Sequence, residues 1–370
     1  MNSQEIINTI ALTRINYFNL AGMLELYRRL GSATAAIEHR NNILDVLPDA
    51  SPRLVQAFKD LSEPLKRAEK ELEWDMKNGV VPLCMNDEQY PQRLKECDDA
   101  PLMLFYKGSA DLNQAKIISI VGTRRCTIYG QDLIRRFAME LKRYCPHALV
   151  VSGLAYGVDI NAHRYALQNA LQTVGVLAHG LDDLYPTRHR QTAQEMLLHG
   201  GLLTEFLTNT NADKVNFVRR NRIVAGIADA VILVESASQG GGLITTRIAR
   251  DYNRDVFAFP GPVGAPYSEG CNNLIRDNGA GLISNAYDFV KAMGWENDAK
   301  LQQTRESGIE RELFPNLTNE EQQVMKVLAK TNDLQINMLS VQSNIPIARL
   351  TALLFSMEMK GVVKTLAGGV

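Results

Sequence analysis

The stretch ADAVILVESASQGGGLITTRIA, residues 228–249, joins a short apolar run to a glycine-rich turn and then to a segment of helical length. The run Ala230–Val234 is apolar throughout, which is typical of a strand buried on both faces of a parallel sheet. Glycines at 240–242 close the turn, and the apolar spacing over Leu243–Tyr252 predicts a helix. Strand, turn and helix in this order form the repeating unit of parallel α/β sheets.

The same alternation extends from Lys116 to about Met293. The predicted strands are Ile117–Val121, Leu149–Ser152, Thr173–Leu177, Gly201–Thr204, Ala230–Val234 and Val256–Phe259. The predicted helices between them are Tyr129–Tyr144, Val158–Leu171, Arg188–Leu198, Val218–Gly226 and Leu243–Tyr252. Apolar strands separated by helices indicate an α/β fold, a Rossmann-like and mostly parallel sheet with flanking helices.

The segments on either side of this pattern predict further domains. Residues 1–78 carry apolar residues at helical spacing, which predicts a small helical domain of the SAM or helix-hairpin-helix kind that binds a partner or packs on its neighbour. Residues 79–295 hold the Rossmann-like domain with a proline-spaced strand-and-loop lead-in, and the polar segment 296–316 predicts a linker. Residues 317–370 predict a winged-helix-like domain. Its expected helices are Glu320–Thr331, Ile336–Ser343 and Ile347–Lys360, followed by GVVKTLAGG.

Composition narrows the class of protein. The 370 residues are 45% hydrophobic and 22% charged, which is ordinary for a globular chain with a sizeable core. The five cysteines are scattered without a CxxC pair, so we expect neither disulfides nor a metal site. No apolar run is long enough to span a membrane, and the N-terminus lacks a basic region followed by an apolar core. We therefore expect a cytoplasmic protein.

The turns that follow the predicted strands carry glycines and hydroxyls. Ligands of open parallel sheets bind at the carboxyl ends of the strands, so these turns lie at the binding edge. Glycine lets a ligand approach the backbone, and helix N-termini offer N–H groups to an anion. The turns therefore predict a phosphate-binding crevice. The expected loop residues are Gly122, Thr123, Ser152, Gly180, Ser238, Gly240, Gly241 and Thr245.

The run DKVNFVRRNRIVAGI, residues 213–227, gathers basic charge in a chain whose formal net charge is -1. Four cations and no acid occur between Lys214 and Arg222, with Phe217 among them. By itself the run fits a solvated helix start equally well. Placed after the fourth of these strands, it faces the same edge as Arg124, which favours an anion site.

Known nucleotide-binding and catalytic motifs are missing. The first turn, GTRRCTIYG, contains no GxGxxG, and no GxxxxGK[ST] occurs, so we expect neither NAD nor ATP and no other cofactor. Asp159 and His163 are spaced to pair on one helix, although a capping acid and a packed histidine account for them as well. We therefore predict no catalytic residue.

Together these segments resemble the DNA-processing protein A family, DprA, also called Smf. The matching segments, in order from about residue 80 to 295, are YPQRLKECDDAPLMLFYKG, SIVGTRRCTIYG, VVSGLAYGVDINAHRYAL, VLAHGLDDLYP, LLTEF, FVRRNRIVAG, ADAVILVESASQGGGLITTRIA and PGPVGAPYSEGCNNLIRDNGAGLI. The resemblance implies a homodimeric single-stranded DNA-binding protein of natural transformation. Such proteins protect incoming strands and load the RecA recombinase, with no known catalytic step.

The resemblance also implies roles for particular residues. DNA contacts are expected at Arg124, Gly153, Arg188, Arg190, Lys214, Phe217, Arg220, Asn221 and Arg222. Dimer contacts are expected at Ile275 and Leu282. Phe217 could stack on a base, as aromatic side chains do in single-strand binding proteins, or it could pack beneath its own helix.

An enzyme interpretation also follows from the glycine-rich loop. Nucleotide-hydrolysing proteins of the lysine-decarboxylase-like (LOG) type share this Rossmann variant. They use the glutamate of PGGxGTxxE for acid–base work on a nucleoside monophosphate. Here the matching loop is SQGGGLITTR, which lacks the proline and carries Arg247 about where the glutamate is needed. Arginine stays protonated and cannot act as a general base, which disfavours this alternative.

Overall fold

The computed structural model describes residues 2–296, 317–328, 334, 336–360 and 362–363. The chain divides into two compact units, residues 1–296 and residues 297–370.

The first unit is built on one nine-stranded sheet, in the order β1-β2-β6-β5-β4-β3-β7-β8-β9. The strands are β1 Val81–Cys84, β2 Met103–Gly108, β3 Ile117–Val121, β4 Leu149–Ser152, β5 Gln172–Val176, β6 Gly200–Thr204, β7 Ala230–Leu233, β8 Asp255–Ala258 and β9 Gly281–Leu282. The seven strands from β6 to β9 in this order pair in parallel. The predicted fold class is therefore confirmed, and each predicted strand agrees to within one residue.

Alternate residues of the central strands enter two different cores. Ile117 and Val121 of β3 pack with the N-terminal helices, whereas Ile118 and Ile120 pack with the helices on the opposite face. Side chains of a strand alternate between faces, so a strand covered on both sides must be apolar at every position. This double burial produces the continuous apolar runs in the sequence.

Two antiparallel strands extend the sheet beyond β6. β2 pairs with β6, and β1 pairs with β2 at the edge. Pro82 lies in β1, and proline is tolerated there because an edge strand has one side free of the hydrogen-bond ladder. The sequence predicts strand-and-loop structure in this lead-in but does not reveal that it joins the sheet.

Helices cover both faces of the sheet. They are α1 Ser3–Leu12, α2 Leu20–Leu30, α3 Ala33–Glu38, α4 Ile43–Val46, α5 Pro52–Lys59, α6 Ser62–Asn78, α7 Gln92–Lys95, α8 Ile128–Tyr144, α9 Val158–Gln168, α10 Arg190–Leu198, α11 Lys214–Gly226, α12 Gly241–Asp251, α13 Glu269–Arg276 and α14 Ala286–Ala292. α11 begins four residues before its predicted start at Val218, because the Asp213 carboxylate accepts a hydrogen bond from Asn216 N at 2.7 Å and caps the helix. Lys214 and Phe217 therefore lie on its first turn.

The N-terminal helices share a core with the sheet. Leu24 of α2, Phe58 of α5, Leu104 of β2 and Val174 of β5 belong to one continuous apolar cluster. The expected boundary at residue 78 therefore does not separate two cores.

A buried carboxylate fastens α6 to the loop after β6. Glu71 is 1% exposed and accepts hydrogen bonds from Thr208 N at 2.7 Å and Thr208 Oγ1 at 2.6 Å. Arg67 Nη1 lies 2.6 Å from the same carboxylate, and Arg67 Nη2 donates to Thr208 O at 2.8 Å. Because Thr208 precedes α11, the N-terminal helices help to fix the segment that leads into the basic helix.

The second unit contains three described helices, α15 Asn319–Leu328, α16 Ile336–Ser343 and α17 Ile347–Met359. Val324, Leu339 and Leu350, one from each helix, lie in its core. α16 and α17 match their predictions to within one residue, and α15 begins one residue before its predicted start, whereas its predicted end at Thr331 lies outside the described residues. Most of the predicted wing, GVVKTLAGG, lies outside the described residues.

In the part of the chain that the structure describes, no helix combines the length and the apolar character needed to cross a membrane.

Candidate nucleic-acid interface

A cavity of 580 Å³ lies at the carboxyl edge of the sheet, beside the ends of β3, β4 and β7. The chain runs from β3 toward β6 on one side and from β7 toward β9 on the other, so this is the point where strand order reverses. Open α/β sheets bind their ligands at such switch points. The polar and glycine residues that line the cavity are Gly122, Thr123, Arg124, Gly153, Asp159, Lys214, Arg220, Asn221, Gly240, Gly241, Gly242 and Thr245.

Arg220 brings a buried cation to this cavity. The residue is 4% exposed, and its Nη1 donates a hydrogen bond to the carbonyl oxygen of Val176 at the end of β5. Burial lowers the pKa of the Arg220 guanidinium to about 10, while the nearby Asp159 carboxylate acts in the opposite direction. Arg220 therefore remains positively charged at neutral pH.

Gly153 leaves the space that this guanidinium fills. A Cβ atom at residue 153 would lie 2.0 Å from Arg220 Nη1 and 2.3 Å from its Cζ. Any side chain there would force the guanidinium to move. Gly153 lines the cavity, as its predicted role requires, and its lack of a side chain is explained by this packing.

Two neutral histidines hold the turn after β4. Leu154 has a φ of 53°, which is uncommon for a residue other than glycine. Its N–H donates to His163 Nε2 at 3.3 Å, and its carbonyl oxygen accepts from His189 Nδ1 at 2.8 Å. Burial lowers the pKa of His163 to about 3 and also lowers the pKa of His189, so both rings are neutral at physiological pH. Both histidines therefore support the backbone of the turn.

Asp159 supports the same turn from the first turn of α9. Its Oδ2 accepts a hydrogen bond from Gly153 N at 3.2 Å, whereas His163 Nδ1 is 2.7 Å from Thr173 Oγ1. The pairing of Asp159 with His163 that the sequence left open is thus replaced by two separate contacts. Burial raises the pKa of the Asp159 carboxyl, and the Arg220 guanidinium opposes that shift.

The Phe217 ring lies close to side chains from two other loops, Arg124 and Tyr185. The Arg124 guanidinium carbon is 4.8 Å from the centroid of its ring, a cation–π distance. The centroid of the Tyr185 ring is 5.9 Å from that of Phe217, and Tyr185 is 46% exposed. Proteins that hold single strands use such groups to stack on bases. Tyr185 was not among the predicted site residues, since its only signal in the sequence is an aromatic residue in the loop after β5.

α11 divides the basic run between two faces. The residues that line the cavity are Lys214, Phe217, Val218, Arg220, Asn221 and Val224. On the other face, the buried Glu205 carboxylate lies 2.9 Å from Arg219 Nη2 and 2.5 Å from Arg222 Nη2. Arg222 also donates to the carbonyl oxygen of Asp99 and is 5% exposed. Arg222 is therefore held in a buried ion pair away from the cavity, which conflicts with the DNA contact expected of it. The site proposed below does not include Arg222.

Only some of the residues predicted to form the phosphate-binding loops line the cavity. Gly122, Thr123, Gly240, Gly241 and Thr245 line the cavity, whereas Ser152, Gly180 and Ser238 do not. The Ser152 hydroxyl donates to Ile120 O at 2.6 Å, and a Cβ on Gly180 would lie 2.5 Å from Leu207 O. Ser238 is exposed. Glycine and hydroxyl turns therefore point to the edge of the sheet where the cavity lies, but not to which of their residues line it.

Two predicted DNA contacts lie outside the cavity lining. Arg188 and Arg190 are exposed on the segment that follows Tyr185, on either side of the buried His189. Both arginines therefore stay predicted contacts that the cavity itself does not include.

The carboxylate required by the enzyme interpretation has no counterpart here. Arg247 is exposed on α12 and does not line the cavity. Among the described residues that do, Asp159 alone carries a carboxylate, and it lies on a different element.

Comparison with known proteins identifies two matching families along the chain. The family described as DNA recombination-mediator protein A matches residues 82–294, and the DprA winged helix domain matches residues 312–369. The chain is 37% identical over 204 residues to DNA processing protein DprA of Streptococcus pneumoniae, which covers 55% of this chain and 71% of that protein. It is 31% identical to Protein Smf of Escherichia coli over 332 residues, and this match covers 88% of this chain and 86% of that protein.

Solved structures give the same result. DNA processing protein A from Streptococcus pneumoniae superposes with a TM-score of 0.67 at 29% identity, covering 79% of this chain and 98% of that one. DNA processing protein A from Helicobacter pylori superposes with a TM-score of 0.52 at 30% identity, covering 58% and 95% of the two chains, and was studied for its single-stranded DNA binding mode. The family match covers more than half of the chain, and the winged-helix match accounts for its C-terminal helices. The chain therefore belongs to the DprA/Smf family of DNA recombination mediators.

Proposed function

We propose that this chain binds single-stranded DNA without sequence preference, protects it and helps to load the RecA recombinase onto it during natural transformation. The observation that carries the DNA-binding part is the convergence of three cations from two elements on one cavity. Arg124 comes from the loop after β3, while Lys214 and Arg220 come from the first and second turns of α11. The Helicobacter pylori relative studied for single-strand binding supports this part.

The chemistry of the cavity favours a single strand over a duplex. Cations and backbone N–H groups contact phosphates and carry no information about base sequence. Phe217 and Tyr185 offer aromatic surface to bases, and bases reach such rings only when they are not stacked in a duplex. We propose no catalytic step for this chain. The roles in RecA loading and transformation rest on family membership.

We also propose that the chain forms a homodimer through α13 and β9. β9 is the last strand of the sheet order, and its Leu282 side chain is 54% exposed. Ile275 on α13 is half-buried and packs partly against the core. An exposed apolar side chain on an edge strand is a favourable place for a second copy to pair.

We expect mixed-sequence single strands to bind more tightly than duplexes of the same length, and affinity to fall with salt. Release of counterions gives a slope of about 0.7 in log K per phosphate contact on a single strand, so three cavity cations account for a slope of roughly 2. Fluorescence anisotropy titrations at several salt concentrations measure both quantities. Equal or tighter binding of the duplex would contradict the proposal.

Lys214→Ala and Arg124→Ala should each weaken single-strand binding by about tenfold, because each removes a charged phosphate contact. Phe217→Ala should cost roughly 1–3 kcal/mol of binding if its ring stacks on a base. Dissociation constants and thermal unfolding are measured together for every variant.

Arg219→Ala is the matched control, since Arg219 lies on the same helix but pairs with Glu205 outside the cavity. Its affinity should stay within about twofold of the native value. If the control and the test variants lost affinity equally, the loss would reflect the overall charge of the protein and would contradict a specific site. A Phe217 variant that loses stability but keeps its affinity would assign that ring to packing.

Charging the proposed interface should separate the dimer. Ile275→Glu combined with Leu282→Glu should give a monomer by light scattering, because two buried carboxylates would face each other across the interface. Leu198→Glu is the control, since Leu198 is 72% exposed at the end of α10, away from β9. A persistent dimer in the double variant would place the interface elsewhere.

A further inference from the structure

The start of α12 presents unused hydrogen-bond donors to the cavity. Gly240 precedes the helix without a side-chain cap, and the first-turn N–H groups of Gly241 and Gly242 have no acceptor among the described residues. The first N–H groups of any helix lack partners within it and carry the positive end of the helix dipole. A Cβ on Gly241 would meet no atom within 4 Å, so the backbone there is open to a ligand.

Thr245 adds an independent observation on the same face of α12. The residue is 3% exposed and lines the cavity, yet its hydroxyl has no hydrogen-bond partner in the described part of the chain. Helical threonines usually donate to a carbonyl one turn earlier, and the neighbouring Thr246 donates to Leu243 O at 3.0 Å. The Thr245 oxygen is not one of the enclosed polar atoms of the described residues, so it opens onto the cavity, where a ligand can complete its hydrogen bond.

The charge around these donors selects the ligand. Arg124, Lys214 and Arg220 line the same cavity, against the single carboxylate of Asp159. Two backbone N–H groups, a hydroxyl and several cations fit the oxygens of a phosphate.

We propose that the first turn of α12 and the Thr245 hydroxyl form a subsite for a nucleotide phosphate, distinct from the Lys214 contact on α11. This inference rests on the proposed function, since the nucleotide would be part of the bound single strand. The phosphate is either an internal phosphodiester or a terminal phosphomonoester, and both supply the oxygens that the subsite lacks.

The test compares Thr245→Val, which removes the hydroxyl and keeps the shape, with Thr245→Ser, which keeps the hydroxyl. Thr246→Val is the matched control, because Thr246 is buried on the same helix but does not line the cavity. The probes are oligothymidines of one length with a 5′-phosphate or a 5′-hydroxyl, and free thymidine monophosphate. Thermal unfolding confirms that each variant is folded.

Thr245→Val should weaken binding by about tenfold, as expected for one hydrogen bond to a charged group. Thr245→Ser should restore affinity to within about twofold, and Thr246→Val should bind as the native chain does. A loss confined to the 5′-phosphorylated strand assigns the subsite to a terminal phosphate, and an equal loss with both strands assigns it to an internal phosphate.

Native affinity of Thr245→Val for every probe, alongside a loss in Lys214→Ala, would overturn the subsite and leave the proposed function intact. If the native chain binds no oligothymidine, the proposed function fails. Thymidine monophosphate then decides the subsite: binding that depends on the Thr245 hydroxyl supports it, and no such binding overturns it.

Discussion

The buried guanidinium of Arg220 links three elements of the site. It reaches from α11 to the carbonyl oxygen of Val176 at the end of β5, and it lies directly over the backbone of Gly153 after β4. Taking a charge out of water is costly, and Asp159 is the nearby carboxylate that offsets part of this cost. The cavity therefore contains a cation whose position is fixed before any ligand arrives.

Other parts of the fold keep α11 in the orientation that this contact requires. Glu205 forms a buried ion pair with Arg222 on the far face of the helix, which fixes the side that faces away from the cavity, whereas the half-exposed Arg219 adds only a surface contact. The clamp between Glu71 and Thr208 ties the preceding loop to α6. The N-terminal helices thus contribute to the site although they do not line the cavity.

The sequence predicts six of the seven described parallel strands to within a residue because double burial favours apolar residues on both faces, a signal that needs no knowledge of tertiary contacts. It does not predict β9, whose two residues are exposed. It places the edge pair β1 and β2 less well, since β1 has only four residues and one of them is Pro82. Within the basic run, helical periodicity separates the cavity face from the Glu205 face only once the helix is known to begin at Lys214. Arg220 and Arg222 are both arginines of the same basic run, so the sequence cannot tell them apart. Only the packing of α11 shows that Arg220 lines the cavity and that Arg222 pairs with Glu205. The position of Tyr185 beside Phe217 depends on the path of the loop after β5, which the sequence does not predict. Single-strand binding, RecA and the dimer entered through family resemblance instead of through residue patterns.

The most direct measurement is the single-strand affinity of Gly153→Ala, taken together with its free energy of unfolding. The added methyl group would occupy the space of the Arg220 guanidinium, whose end can move while the strands remain in place. The predicted result is a folded protein that binds single-stranded DNA at least about tenfold more weakly, equivalent to about 1.4 kcal/mol. A folded Gly153→Ala variant with native affinity would contradict the central role given to the fixed Arg220 cation.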